Sequence, residues 1–432
     1  MAAMNSSSRS SARFCIHSMT SAMRNPRVHA VARSPRFGRT FASSASIPSS
    51  SVSQEADNFV RIVEVSPRDG LQNEKRTIAT ETKVELIRRL AGTGLAVIEA
   101  GAFVSPKWVP QMADSASVLT RLPQVLPPNL HSKLSFPVLV PNAKGLDTLL
   151  SLLASSRSNT DPQSSGAPLT DEISVFTAAS DAFTRANTNC TIDESLRRIE
   201  EIFERVRSSG KEGNNLLRVR AYISVVLGCP YSGKVDPALV ARMTRTLLEM
   251  GAYEVSLGDT IGAGTPSGVR ALLNALEKEG VDVGGQLEKE GGLGGRRRVQ
   301  GVAAHCHDTF GTGLANVLEF VRGGVRVVDA SVSGLGGCPY SPGATGNIDT
   351  ESVVQALHAE GYETGVNLLE LARVGQWISD EVRGQGSTLF PGSGSDGEAG
   401  SDIRAVNLNA SSAGRAILAR ESREKPQDKA KL

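Results

Sequence analysis

From Phe59 onward, short apolar runs alternate with longer amphipathic stretches along most of the chain. Runs rich in Val, Ile and Leu at Val60–Val65, Leu95–Glu99, Phe136–Val140, Glu172–Phe176, Arg218–Val226, Tyr253–Leu257, Val302–His305 and Val325–Ala330 predict strands. Between them, stretches with apolar residues at helical spacing predict helices at Thr82–Ala91, Gln111–Arg121, Lys144–Ala154, Ile192–Arg207, Pro237–Met250, Pro266–Lys278 and Thr312–Arg322. Thr350–Glu360 follows the last strand, and Leu368–Val382 adds a further helix. Start signals support several of these. Thr191-Ile192-Asp193-Glu194 is a capping-box pattern, and Asp236-Pro237 places an N-cap before a first-turn proline. Eight strands each followed by a helix, over ~270–300 residues, is the pattern of a (β/α)8 TIM barrel with additional C-terminal helices. A doubly wound open sheet is the rival, but no G-x-G-x-x-G follows the first strand.

Composition changes this picture at the termini. The whole chain of 432 residues has a net charge of +2, which carries no general nucleic-acid footprint. Residues 1–54, however, hold seven Arg, no Lys and no acidic residue, so the remainder carries 40 basic against 45 acidic residues. An Arg-rich, Ser-rich, acid-free leader predicts a disordered mitochondrial transit peptide over residues 1–43, with a linker over 44–58. Arg39-Thr40-Phe41-Ala42 followed by Ser43-Ser44 marks the expected processing site. No run approaches ~18 apolar residues, so no membrane span is expected. Five scattered Cys without C-x-x-C indicate neither a disulfide scaffold nor a zinc finger. The catalytic domain is expected at 59–383, with a flexible tail over 384–432.

Polar insertions at 155–170, 210–215 and 280–298 all fall between a helix and the next strand, the face of a barrel that carries no chemistry. Arg296-Arg297-Arg298 in the last of them reads as a solvated loop. The opposite face is richer. Strand ends carry Arg68-Asp69-Gly70, Glu99, Ser256 with Asp259, and His305-Cys306-His307, and a Gly-rich loop carries Cys338 and ends at Asn347. Residues two apart on a strand point the same way, so His305 and His307 can converge on a metal while Cys306 faces away. Asp69 is placed across the barrel mouth to supply oxygen. With no Cys at zinc spacing, this favours Mg²⁺ or Mn²⁺ over structural zinc. Arg68 is either a structural partner of Asp69 or the stabiliser of an anionic oxygen. Glu99 and Asp259 either cap the helices that follow them or take part in chemistry. Cys190 and Cys306 are expected to be inert packing, whereas Cys338, between Gly337 and Pro339, is placed for delivery by loop closure.

Four strings make the chain recognisable: Pro67-Arg68-Asp69-Gly70-Leu71-Gln72-Asn73-Glu74-Lys75, Phe103-Val104-Ser105-Pro106-Lys107-Trp108-Val109-Pro110-Gln111, Leu227-Gly228-Cys229-Pro230-Tyr231, and Ser331-Val332-Ser333-Gly334-Leu335-Gly336-Gly337-Cys338-Pro339-Tyr340. Over roughly Phe59 to Leu371 the chain resembles the 3-hydroxy-3-methylglutaryl-CoA lyase family, within the metal-dependent aldolase and Claisen-type barrels. The resemblance implies a divalent cation held by Asp69, His305, His307 and Asn347. It implies an acyl-CoA substrate cleaved to acetyl-CoA and acetoacetate, with His305 or Asp69 as base, Arg68 as enolate stabiliser and Cys338 as proton donor. Gln72, Glu99, Ser256 and Asp259 are implied around the site, and a homodimer is implied for the assembly. Ser333 stands where the family often has Ala. The chain ends Ala430-Lys431-Leu432, a variant of the peroxisomal S-K-L address, so a mitochondrial matrix location with a minor peroxisomal pool is expected. The rival readings are a related acyl-CoA synthase or lyase on the same barrel, and a catalytically silent acyl-CoA-binding barrel.

Overall fold

The alternation of runs becomes a ring of parallel strands in the computed structural model, which describes residues 58–158, 168–211, 217–287, 298–337 and 346–383. The strands are β1 (Arg61–Glu64), β2 (Val97–Ile98), β3 (Gly101–Ala102), β4 (Val138–Leu139), β5 (Glu172–Ala178), β6 (Arg218–Ser224) and β7 (Glu254–Asp259). A small antiparallel pair, β8 (Gln286–Leu287) and β9 (Arg298–Val299), precedes β10 (Gly301–Cys306) and β11 (Val327–Ala330). Neighbours run in the order β2-β1-β11-β10-β7-β6-β5-β4-β3. β2 and β3 are two halves of one barrel strand. Glu99 N–H donates to Glu64 O on one side (2.9 Å), and Ala100 N–H donates to Pro137 O on the other (2.8 Å). That seam closes a ring of eight strand positions, and the architecture is a (β/α)8 barrel.

All eight expected strands form, and the helices between them follow with shifted ends. The stretch at Gln111–Arg121 divides into a short turn, Pro110–Met112, and a helix, Ser115–Val125. The break falls where Gln111 turns inward and its Oε1 accepts the Ile78 N–H at 2.9 Å. A helix at Asp181–Thr188 was not legible from periodicity, although Ser180 caps it by accepting the Phe183 N–H. The Thr191–Glu194 capping box forms as read, each side chain accepting the other's backbone N–H at 2.9 and 3.2 Å. The C-terminal helices Thr350–Ala359 and Leu368–Arg383 are both present. The second packs back on the barrel, with the Arg89 guanidinium 4.1 Å from the Trp377 ring centroid.

Strand alternation sorts the side chains into two environments. Outward positions such as Ile62, Val175, Ile223, Leu257, Ala304 and Val328 are buried with the helices in one large apolar cluster. Inside the ring the apolar set is small: Val63, Val65, Val97, Ala303 and Val327. The rest of the lumen is polar and charged. The described ends of the helix-to-strand insertions adjoin the starts of β5, β6 and β10, and residues 159–167, 212–216 and 288–297 lie outside the described residues. The third is not wholly a polar loop, because its stem pairs as β8 and β9. The expected transit peptide at 1–43, the linker up to residue 57, Arg296, Arg297, Cys338, the tail at 384–432 and its terminal Ala430-Lys431-Leu432 lie outside the described residues.

Candidate metal centre and active site

The site begins with a wide helical turn at Ser66–Gly70, directly after β1, in which Asp69 and Gly70 N–H both donate to Val65 O. Pro67 starts the turn, and the turn carries Arg68 and Asp69 over the mouth of the ring. Gly70 is required here by space. A Cβ at this position would lie 2.8 Å from Ser331 Oγ and 3.0 Å from Leu335 Cβ, so the turn is pressed against the segment after β11. Gly336 completes that contact in the left-handed region (φ 114°), where a Cβ would also meet Asn347 at 2.8 Å.

Asp69, His305 and His307 each present a ligand atom, and these atoms all lie within 4.8 Å of one another. Asn347 is brought in by an antiparallel bridge to His307, and its Nδ2 donates to Asp69 Oδ2 at 2.9 Å. Gln72 stands at the rim, its amide 3.4 Å from Asp69 Oδ1. Arg68 is buried and committed on two sides. It donates through Nη1 to Asp69 Oδ1 at 2.5 Å and through Nε to Glu99 Oε2 at 2.8 Å. Glu99 also accepts from Ser174 Oγ at 2.8 Å and from the Tyr222 hydroxyl at 3.3 Å. Glu99 is therefore the clamp on Arg68 and does not cap the helix that follows.

Electrostatics matches this geometry. Burial opposes ionisation of Asp69, but the Arg68 guanidinium, followed by His305 and His307, outweighs it and holds the carboxyl down to about 2. Burial, reinforced by the neighbouring His305, pushes His307 down to about 4, so its imidazole stays neutral at physiological pH. Its Nδ1 is buried without a hydrogen-bond partner. An ionised Asp69 carboxylate beside the neutral His307 imidazole, with its orphaned nitrogen, suits a divalent cation.

Two expected residues lie outside the Asp69–His305–His307 cluster. Ser256 is one layer deeper, fully buried, donating to Asp329 Oδ2 at 2.7 Å. Asp259 lies on the outward side of β7, where its Oδ2 accepts the Gly264 N–H at 2.9 Å and holds the loop that follows. Strand alternation separates it from the inward Ser256. Three residues of the lumen were missed: Arg220, Tyr222 and Asp329. Arg220 is buried and joins Glu254, Tyr222 and Asp329. A signal existed in Arg218-Val219-Arg220-Ala221-Tyr222, where polar side chains recur at every second position of a strand.

A protein-family profile described as HMGL-like matches residues 59–378. The mitochondrial hydroxymethylglutaryl-CoA lyase of Bos taurus is 46% identical over 319 residues, covering 74% of this chain and 84% of its own. The hydroxymethylglutaryl-CoA lyase of Pseudomonas mevalonii is 45% identical over 323 residues, covering 75% and 92%. Among solved structures, the hydroxymethylglutaryl-CoA lyase of Pseudomonas aeruginosa superposes with a TM-score of 0.65 at 40% identity, over 84% of this chain and 98% of that one. With a matching profile over most of its length and relatives this similar, the chain belongs to the HMGL-like family.

Proposed function

We propose that this barrel cleaves 3-hydroxy-3-methylglutaryl-CoA to acetyl-CoA and acetoacetate, using Mg²⁺ or Mn²⁺ held by Asp69, His305, His307 and Asn347. The observation that carries the reading is the convergence of Asp69, His305 and His307 beside a buried, doubly anchored Arg68, in a chain of this family. When bound, the cation supplies Lewis-acid polarisation of the substrate oxygens and eases loss of the tertiary hydroxyl proton.

The protein's own groups account for the remaining demands. The Asp69 carboxylate, or His305 once its Nε2 is free of the cation, accepts the hydroxyl proton. The carbon–carbon bond then breaks, with its electron pair leaving on the acetyl-CoA fragment as an enolate while the other fragment becomes the ketone of acetoacetate. Arg68 stabilises the enolate oxygen; Glu99 holds the guanidinium in place for this. Burial opposes the charge on Arg68, but Glu99 and Asp69 raise its pKa further, so it stays cationic throughout. Protonation of the enolate carbon completes acetyl-CoA, and Cys338 is the donor we assign from sequence. Asn347 would hold the cation through Oδ1, which a half-turn of its amide would bring to the place Nδ2 takes beside Asp69. Gln72 at the rim and Ser256 below shape the substrate side, with Asp259 acting through the loop it holds. A homodimer in the mitochondrial matrix, with a minor peroxisomal pool addressed by Ala430-Lys431-Leu432, completes the reading. The acid-free leader and the mitochondrial designation of the Bos taurus relative support the matrix assignment.

The test uses protein beginning at Ser43 and 3-hydroxy-3-methylglutaryl-CoA, with Mg²⁺, Mn²⁺ or a chelator, and follows acetoacetate over time. Metal-dependent release is expected. No release with either metal from folded protein overturns the reading, and turnover of a 2-oxo acid with acetyl-CoA would replace it with a synthase.

A further inference from the structure

We propose that Asp329 is the positioning residue that fixes the tautomer and orientation of His305, with Arg220 and Ser256 holding Asp329 in turn. This deepens the functional reading and rests on it for the ligand role of His305.

The argument starts from register. His305 on β10 and Asp329 on β11 are direct partners across two neighbouring strands, and both face the lumen. Asp329 Oδ2 lies 3.2 Å from His305 Nδ1. Arg220 donates to both oxygens of Asp329, from Nη2 at 2.7 Å and from Nη1 at 3.1 Å. Ser256 Oγ donates to Oδ2 at 2.7 Å. A carboxylate gripped by a guanidinium fork is ionised and can only accept hydrogen bonds. His305 Nδ1 must then be the donor, which leaves the lone pair on Nε2. That nitrogen is 4.0 Å from Asp69 Oδ2, on the side where the cluster converges. Tyr222 meets the same ring edge-on at 6.0 Å between centroids, which limits its rotation. Imidazoles that bind metals commonly donate their second N–H to a carboxylate in this way. The Asp69–His305–His307 cluster does not include Asp329, so it acts through His305.

A purely structural Arg220–Asp329 pair makes a different prediction: stability falls on mutation, but the tautomer and metal affinity of the folded protein do not change. The full-length chain has only six histidines, so its ¹⁵N-histidine spectrum can be assigned. With the metal-free protein at pH 8, the signal lost in His305→Gln is expected to report a proton on Nδ1. A proton on Nε2 overturns the proposal, and this measurement needs no change at Asp329. In parallel, Mn²⁺ affinity is measured directly by electron paramagnetic resonance on the parent and on folded Asp329→Asn. The amide can donate to Nδ1 and so favour the other tautomer, and a loss of ~10–100-fold in affinity is expected. Restoration by Asp329→Glu supports the same role. Parent-like affinity in Asp329→Asn overturns it. A parent that binds no Mn²⁺ overturns the functional reading instead, while the tautomer measurement still decides the orientation of the ring.

Discussion

The lumen of the barrel and the layer just outside its strands both bury carboxylates, yet the two sets ionise in opposite directions. Inside, Asp69 and Asp329 are each paired to an arginine. Burial opposes their charge, but Arg68 holds Asp69 down to about 2 and Arg220 holds Asp329 below the usual carboxylate range. Outside, Glu64, Asp259, Asp349 and Glu351 are as deeply buried but their hydrogen bonds come from neutral groups. Glu64 accepts from Ser66 N–H, Val332 N–H and Thr350 Oγ. Glu351 accepts from the Ser333 N–H, which holds that residue in the left-handed region at φ 57°. Burial dominates in this set and pushes all four upward, Asp259 and Asp349 to about 6. The difference teaches what each set is for. Arginines in the lumen keep carboxylates charged where the proposed function needs a cation held and an enolate stabilised. Outside, the carboxylates fasten the loops at the barrel mouth to the strands and helices behind them.

The comparison breaks most visibly if the lumen loses its central cation. Arg220→Met leaves Asp329 and Glu254, both buried, without the guanidinium that both bind. Removing one partner of a buried ion pair costs ~3–5 kcal/mol, and urea unfolding followed by circular dichroism should show a loss in that range. A loss under ~1 kcal/mol would mean that the network is solvated or can rearrange freely, and the contrast with the outer set would collapse.

Stability against pH sharpens the same contrast with a smaller effect. Asp259 has a folded pKa of about 6 against an ordinary value of 3.8. A raised carboxyl contributes stability that is full below its unfolded pKa and is lost as pH rises through the folded one. Its window therefore runs from about 4 to about 6, and at ~1.4 kcal/mol per pKa unit the loss is at most ~3 kcal/mol. Asp69 has the opposite sign: its contribution is present above 3.8 and disappears as pH falls toward 2. Unfolding free energies of chelator-treated protein should accordingly decline from pH 4 to 6, and Asp259→Asn should flatten that decline. An unchanged slope in Asp259→Asn would show that its neutral partners compensate fully for burial.

The same division explains what the sequence made legible. The outer layer announced itself, because apolar alternation at strand and helix periods is what buries Leu257 or Val175 against the helices. His305, His307 and Asp69 were legible because few other reasons place such residues at strand ends of a barrel. Arg220, Tyr222 and Asp329 were harder, since a single charged residue inside an apolar strand looks like an edge position until the ring is closed. Ser256 and Asp259, three residues apart, fall on opposite sides of a strand by alternation, but only the closed ring shows that Ser256 is the inward one. The stem of β8 and β9 was hidden for another reason: two-residue strands carry too little period to detect.

The smallest effect tests whether the outer layer is as separable from the chemistry as its apolar character implies. Asp236 caps the helix Pro237–Met250 by accepting the Ala238 N–H at 3.0 Å, beyond the end of β6, and is not a member of the metal cluster. An N-cap replaced by alanine costs ~1 kcal/mol, because one of the orphaned first-turn donors loses its acceptor. Asp236→Ala should lower the unfolding free energy by that amount and leave kcat and Mn²⁺ affinity of the folded protein unchanged. Pro237 at the first turn still starts the helix, which limits the damage to the cap itself. The loop from Val225 to Asp236 also carries the Cys229–Gly233 bridge and ends β6, the strand that bears Arg220 and Tyr222. A fall in kcat alongside a loss of only ~1 kcal/mol would therefore mean that the helix start transmits to the lumen through this strand. The charged interior and its apolar jacket would then be one cooperative unit in function as well as in folding.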